Sequence, residues 1–229
     1  MMRQLIVAID TPEIERAQSL VRAVAPYAGL VKIGLEFFLR HGSEGYRQAA
    51  QGADVFLDLK LHDIPNTVAG GIRSLLPLAP RFLTIHAGGG SKMIEAAMQA
   101  AAEAGESRPK ILAVTVLTSF DAAGLAATGV AGGTAQQVLR LARLALEAGA
   151  DGLVCSPHEI LILRDAFGEK PVLVVPGIRP LGAALGDQAR VMTPEQAIMA
   201  GADYIVVGRP ITAAPDPALA AREIADSIQ

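Results

Sequence analysis

The sequence predicts an α/β protein: a single (β/α)8 TIM barrel over residues 1–229, with an active site at the C-terminal rim of its strands. Three observations predict it. Short apolar runs rich in Val, Ile and Leu recur roughly every 20 to 30 residues, eight in all, with little polar alternation, as parallel strands covered on both faces require. Segments of helical periodicity separate them, with start signals at their heads. Two junctions, Glu147-Ala148-Gly149-Ala150-Asp151 and Met199-Ala200-Gly201-Ala202-Asp203, are near-identical and place a glycine where a helix C-cap wants one. A doubly wound open sheet is the alternative, but that fold more commonly has five or six strands.

Taken in order, the first run covers 5–9, and Thr11-Pro12 introduces the first helical segment, 14–25. The second run, 30–33, carries Lys32, and the third, 55–59, carries Asp58. The fourth, 82–85, leads into His86 and Gly88-Gly89-Gly90, after which Ser91 opens the helical segment 93–103. The fifth run, 111–116, precedes an irregular stretch, 122–134, and then a helix over 135–148. The sixth, 152–155, ends on Cys155, and the seventh, 172–175, precedes a second irregular stretch, 176–193. Thr193-Pro194-Glu195 starts the seventh helix before the last run, 204–207. Both irregular stretches follow strands, so a barrel places them at the rim where sites are assembled.

Composition limits the partners. The chain has 229 residues, 51% of them hydrophobic, enough for a sizeable core. Aromatics make up 4% and Trp is absent, so an aliphatic core is expected. A net charge of −3 excludes a nucleic-acid-coating surface. One cysteine excludes an intramolecular disulfide and a multi-thiolate zinc site. The apolar run 5–9 is too short for a signal-peptide core, and the longest uncharged stretch, 122–139, is rich in Gly, Thr and Gln and is no membrane span. A cytoplasmic protein with no membrane or nucleic-acid partner is expected.

The chemistry concentrates in Asp58-x-Lys60-x-x-Asp63-Ile64-Pro65-Asn66-Thr67. Residues two apart on a strand share a face, so Asp58 and Lys60 point together while Leu57, Leu59 and Leu61 take the other side. An acid and an amine inside an apolar strand cost several kcal/mol in desolvation unless well paired. A structural ion pair capping the barrel is one reading. A reactive site is the other, because neighbouring strand ends repeat the pattern: Asp10 closes the first strand, Lys32 interrupts the second, and Asp63 adds a third acid. Gly208-Arg209 after the last strand lies where barrels commonly hold phosphate, with a structural arginine as the plainer alternative. Arg179 is the weaker phosphate candidate. His86 is read as a rim residue without chemistry, His41 and His158 as surface helix positions, and Cys155 as a small hydrophobe.

The run from Asp58 to Thr67 resembles the signature of the orotidine 5′-phosphate decarboxylase family. So do Ala8-Ile9-Asp10, Lys32-Ile33-Gly34, Thr115-Val116-Leu117-Thr118-Ser119, Pro176-Gly177-Ile178-Arg179-Pro180, Gly186-Asp187-Gln188-x-Arg190 and Val207-Gly208-Arg209-Pro210-Ile211, in order along the chain. The resemblance implies a cofactor-free decarboxylation of orotidine 5′-phosphate to UMP. It makes Lys60 the residue that stabilises and protonates the C6 carbanion, with Asp58 crowding the substrate carboxylate and Lys32 and Asp63 completing an alternating row. It assigns Asp10 and Lys32 to the ribose, Thr118 to the pyrimidine, and Arg179, Gln188, Gly208 and Arg209 to the 5′-phosphate. It also implies a homodimer in which Asp63, Ile64 and Thr67 reach the partner's site. The expelled electron pair lies in the ring plane, where an electron-sink cofactor is of little use and preorganised charge is what remains. One ammonium at ~4 Å supplies roughly 4 kcal/mol at an effective dielectric of 20, against up to ~23 kcal/mol for difficult reactions. Phosphate and ribose contacts must therefore contribute, through closure of the 176–193 stretch.

The rival enzymes are magnesium-dependent keto-gulonate-phosphate decarboxylases and hexulose-phosphate synthases, which share the Asp-x-Lys-x-x-Asp core but carry an acidic metal ligand on the second strand. Lys32 stands there instead and repels a cation, so no metal is expected. A non-catalytic phosphate-binding scaffold would be marked by loss of Lys60 or Lys32, and both are present. An isomerase barrel of histidine or tryptophan synthesis would need an acid–base pair on opposite strands, which is not evident.

Overall fold

The computed structural model describes residues 3–180 and 192–228. Eight strands close into a barrel: β1 (Leu5–Ala8), β2 (Leu30–Gly34), β3 (Val55–Leu61), β4 (Phe82–His86), β5 (Lys110–Val114), β6 (Gly152–Val154), β7 (Val172–Val175) and β8 (Tyr204–Val207). Each pairs in parallel with the next, and β8 pairs with β1 through Leu5–Ile205, Ile6–Val206 and Val7–Val207. Helices α1 (Ile14–Val24), α2 (Leu35–Ala50), α3 (Pro65–Leu75) and α4 (Ser91–Ala102) follow the first four strands in turn. After β5 come α5 (Ala122–Ala127) and α6 (Thr134–Glu147), after β6 comes α7 (Ile160–Phe167), and after β7 comes α8 (Pro194–Met199). Two helices, α9 (Arg209–Thr212) and α10 (Pro217–Ser227), follow β8. The expected (β/α)8 barrel is the architecture found. Among the described residues no helix is long and apolar enough to cross a membrane.

Two apolar layers hold the barrel. The outer one packs the outward residues of the strands, such as Leu57, Leu83, Ile85 and Leu173, against helix faces built largely from Ala, Leu, Ile and Val. The inner one fills the barrel with Ile6, Ala8, Leu30, Phe56, Phe82, Leu112, Val174, Tyr204 and Val206. Here the expectation of an aliphatic core needs correction. Phe82 packs edge-on against both Phe56 and Tyr204, at centroid distances of 6.0 and 5.1 Å, so aromatic rings plug the interior.

The inward positions change character from the bottom of the barrel to its top. Ile6 and Ala8 lead to Asp10, Leu30 to Lys32, Phe56 to Asp58 and Lys60, and Phe82 to Thr84 and His86. The apolar plug thus ends where a charged floor begins.

Local signals explain most element boundaries. Thr193 caps α8, accepting from the Gln196 amide while Gln196 accepts from the Thr193 amide. Gly149 and Gly201 take left-handed backbone (φ 94° and 108°), as the repeated junction predicts. Each junction then ends on an aspartate that accepts the amide of a neighbouring strand. Asp151 takes the Ile111 N–H at 2.8 Å and pairs with Arg108; Asp203 takes the Leu173 N–H at 2.7 Å and pairs with Arg164.

Helix α1 begins at Ile14 just after Thr11-Pro12, with Glu13 at the N-cap and its amide donating to Thr11 Oγ1. Some elements differ from expectation. The stretch 122–134 contains α5, because the Asp121 carboxylate accepts the Gly124 amide at 2.7 Å and caps an alanine-rich turn. Strand β5 stops at Val114, two residues early. His41 is half-buried rather than a plain surface position: its Nε2 lies 2.7 Å from the Pro12 carbonyl and its ring packs on Phe37. His158 is exposed and Cys155 is buried, with burial pushing its thiol pKa up.

Candidate active site

At the C-terminal rim, four side chains from three strands form an alternating chain of charge. Asp10, just past β1, accepts from Lys32 Nζ at 3.1 Å. The same ammonium lies 3.6 Å from Asp58 Oδ2. Lys60 Nζ then donates to both Asp58 oxygens, at 2.7 and 2.8 Å. The middle of the chain is the drier part: the Lys32 and Asp58 side chains are 13% and 12% exposed, against 60% for Asp10 and 37% for Lys60. Burial alone would raise the Asp58 pKa. The Lys32 and Lys60 charges, with hydrogen bonds from Lys60 and Thr84, outweigh it and hold the carboxyl below its ordinary range.

The pairing of Asp58 with Lys60 is reached by an irregular route. Opposite β4 the register runs Leu57–Leu83 and then Leu61–Ile85, so β3 advances four residues while β4 advances two. The extra residues form a bulge, and Lys60 within it has left-handed backbone, φ 49°. A lysine in that region costs roughly 1–2 kcal/mol, which the surrounding contacts must offset. Strand alternation predicts a shared face for Asp58 and Lys60 but not this conformation.

The charges line a cleft of about 180 Å³ bounded by Ile9, Asp10, Lys32, Gly34, Asp58 and Lys60. A methyl group on Gly34 would come 3.4 Å from Lys32 Nζ and 3.7 Å from Asp10 Oδ1, so the backbone there passes directly beside that ion pair. Larger clefts of about 460 and 520 Å³ lie near residues 28–31 and 149–151, at the starts of β2 and β6. They are at the N-terminal face, which in such barrels serves stability rather than chemistry.

The remaining candidates sit around this floor. Gly208 approaches β1, where a Cβ would meet Asp10 Oδ2 at 3.7 Å, and Arg209 is exposed at the start of α9. Arg179 is buried rather than a solvated loop residue, and its guanidinium donates to the Ile178 carbonyl at 2.9 Å. Thr118 is half-buried in the turn beyond β5. Gln188, with Gly186, Asp187 and Arg190, lies outside the described residues. Asp63 does not join the row within its own chain. It is exposed, accepting the Ile64 amide at 2.7 Å, and Ile64 and Thr67 are exposed beside it. Ile64, not Asp63, holds the N-cap position of α3.

Two features escape sequence reasoning. Thr84, fully buried on β4, hydrogen-bonds to Asp58 and to the Lys60 amide. His62 and His86 stack at 5.2 Å with rings 17° from parallel, and burial, then the His62 and Lys60 charges, lower the His86 pKa. A threonine and a histidine in an apolar strand were the available signals, but threonine is also an ordinary strand former.

Known proteins share this arrangement of sequence and fold. The profile of the Orotidine 5'-phosphate decarboxylase / HUMPS family matches residues 3–224. The orotidine 5'-phosphate decarboxylase of Gluconobacter oxydans (strain 621H) is 54% identical over 228 residues, covering 98% of this chain and 97% of that protein. That of Anaeromyxobacter sp. (strain K) is 56% identical over 223 residues, covering 97% and 96%. The crystal structure of orotidine 5'-phosphate decarboxylase from Lactobacillus acidophilus superposes with a TM-score of 0.88 at 39% identity, covering 99% of each chain. With a family profile spanning nearly the whole barrel and relatives more than half identical along their length, the chain belongs to the orotidine 5'-phosphate decarboxylase / HUMPS family.

Proposed function

We propose that this protein decarboxylates orotidine 5′-phosphate to UMP, without a metal or organic cofactor. The observation that carries the reading is the Asp10–Lys32–Asp58–Lys60 chain of charge at the rim, in a protein so similar to relatives bearing that enzyme's name. Asp58, held ionised between two ammonium groups, faces the substrate carboxylate, and their repulsion is relieved as CO2 departs. The Lys60 ammonium, already oriented by Asp58, stabilises the electron pair left at C6 and delivers the proton that completes UMP. Lys32 and Asp10 hold ribose hydroxyls. Arg209, Arg179, Gln188 and the Gly208 backbone take the 5′-phosphate, and Thr118 the pyrimidine.

The same proposal makes the enzyme a homodimer whose sites are shared. Asp63 and Ile64 lie on the exposed approach to α3 and Thr67 is exposed in its first turn, with Ile64 67% exposed. An apolar residue standing out at the site's edge favours a partner surface there. Asp63 would then supply the acid that follows Lys60 in the partner's row.

Lys32 separates this reading from the magnesium-dependent members of the family, since its ammonium lies between two carboxylates that a cation would otherwise bridge. A spectrophotometric assay with orotidine 5′-phosphate, run with and without EDTA, tests both points. Turnover that persists in chelator is expected. Activity lost in EDTA and restored by Mg²⁺ would transfer the protein to the metal-dependent branch, and no turnover in either condition would remove the assignment.

A further inference from the structure

Of the three residues that β4 turns into the barrel, the middle one, Thr84, has no apolar partner role. It is fully buried, and both hydrogen bonds of its hydroxyl go to the reactive segment of β3. The Lys60 backbone N–H donates to Thr84 Oγ1 at 2.8 Å, and the Thr84 O–H donates onward to Asp58 Oδ1 at 3.0 Å. The direction of both bonds is fixed, because the carboxylate can only accept and the amide can only donate.

The bulge explains why a hydroxyl is needed there. Between the Leu57–Leu83 and Leu61–Ile85 pairs, Thr84 alone stands opposite Asp58, Leu59 and Lys60. A regular ladder would offer the Lys60 amide a backbone carbonyl, but a carbonyl cannot also donate to Asp58. A hydroxyl does both. A valine of the same shape would fill the space, so packing does not call for the oxygen.

We infer that Thr84 is a positioning residue for the reaction, a strut that holds the Lys60 backbone in its left-handed conformation and aims the Asp58 carboxylate at the Lys60 ammonium. Its catalytic part rests on the decarboxylase reading; its structural part does not. The lysine stem is long and its side chain is 37% exposed, so the ammonium is located by its two ends, the backbone and the carboxylate. Thr84 acts on both. The hydrogen bond from Thr84 also helps keep Asp58 ionised. Preorganisation of this kind acts on the transition state, where small displacements of a charged group are costly.

The test compares wild type, Thr84→Val and Thr84→Ser for turnover, UMP affinity and melting temperature, with a crystal structure of Thr84→Val. Thr84→Val is expected to lose roughly tenfold to a hundredfold in kcat. Its KM and its affinity for UMP should stay within about threefold of wild type. Thr84→Ser, which keeps the hydroxyl, should restore most of kcat. In the Thr84→Val crystal, Lys60 should leave positive φ and its Nζ should part from Asp58. Full activity in Thr84→Val, or equal losses in the Val and Ser variants, would overturn the inference. So would a kcat loss matched by UMP affinity and melting temperature, which marks general collapse. If wild type does not decarboxylate orotidine 5′-phosphate, the functional reading fails and the crystal decides alone. A displaced Lys60 then supports the strut, and an unmoved one refutes it.

Discussion

In the proposed reaction Lys60 keeps a positive charge beside a carbanion and then gives up a proton. Lys60→Ala is therefore expected to abolish turnover with the fold intact. Retention of more than about a tenth of wild-type kcat, a loss below ~1.4 kcal/mol, would contradict its role. Acid is the second probe at this scale. His86 titrates below its ordinary value of 6.5 in the folded protein, so the unfolded chain binds its proton more readily. Stability is then intact above that value and falls as pH drops through it toward the folded pKa. Asp58 acts in the same direction further down: its folded pKa lies below 3.8, so its contribution is present above that value and lost as pH falls through the folded one. His86→Gln should flatten the dependence of urea stability on pH just below about 6.5 and leave the more acidic limb in place. An unchanged slope would mean that His86 is not the group responsible. Single residues were only partly legible in the sequence. Charges in apolar strands, such as Lys32 and Asp58, stand out because burial makes them expensive. Thr84 and His62 do not, because their roles arise from partners on another strand.

Among the elements, the repeated Gly-Ala-Asp junctions before β6 and β8 offer a graded comparison. Each aspartate accepts a strand amide and pairs with an arginine, but the arginines differ in what they face once the acid is gone. Arg108 is 37% exposed and can turn to water. Arg164 is 14% exposed and held by the carbonyls of Gly168, Pro171 and Gly201, so its charge would stay buried and unpaired. Asp151→Ala should cost about 1.5–3 kcal/mol. Asp203→Ala should cost ~3 kcal/mol or more in urea denaturation, because an orphaned buried charge is the larger penalty. Equal losses would show that the shared strand amide, not the arginine, dominates. The strands were legible to within about two residues because apolar runs bounded by turn residues leave little choice. The bulge in β3 was not, since a period of two has no place for extra residues. Nor was α5, whose cap is a single aspartate inside a glycine- and alanine-rich stretch.

For the whole molecule, the question is whether one barrel suffices. Protomers carrying Lys60→Ala and protomers carrying Asp63→Ala, each inactive, can be mixed and allowed to exchange subunits. If Asp63 acts across an interface, one site of each mixed dimer carries both lesions and the other neither, and activity returns to at most half that of a normal dimer. If it acts within its own chain, every site keeps one lesion and the mixture stays silent. The pairing of β8 with β1, which brings Gly208 against Asp10, has a consequence for synthesis. The barrel mouth around the floor thus joins residues from near both extremes of the described chain, and at ~5–20 residues per second a ribosome takes on the order of 10 to 40 s to make the stretch between Asp10 and Gly208. Through that interval the barrel mouth beside Asp10 lacks β8 and the Gly208 backbone that approaches it. A nascent chain arrested before β8 should therefore carry every acid and amine of the floor without a closed barrel around them, and should show no turnover until β8 is added.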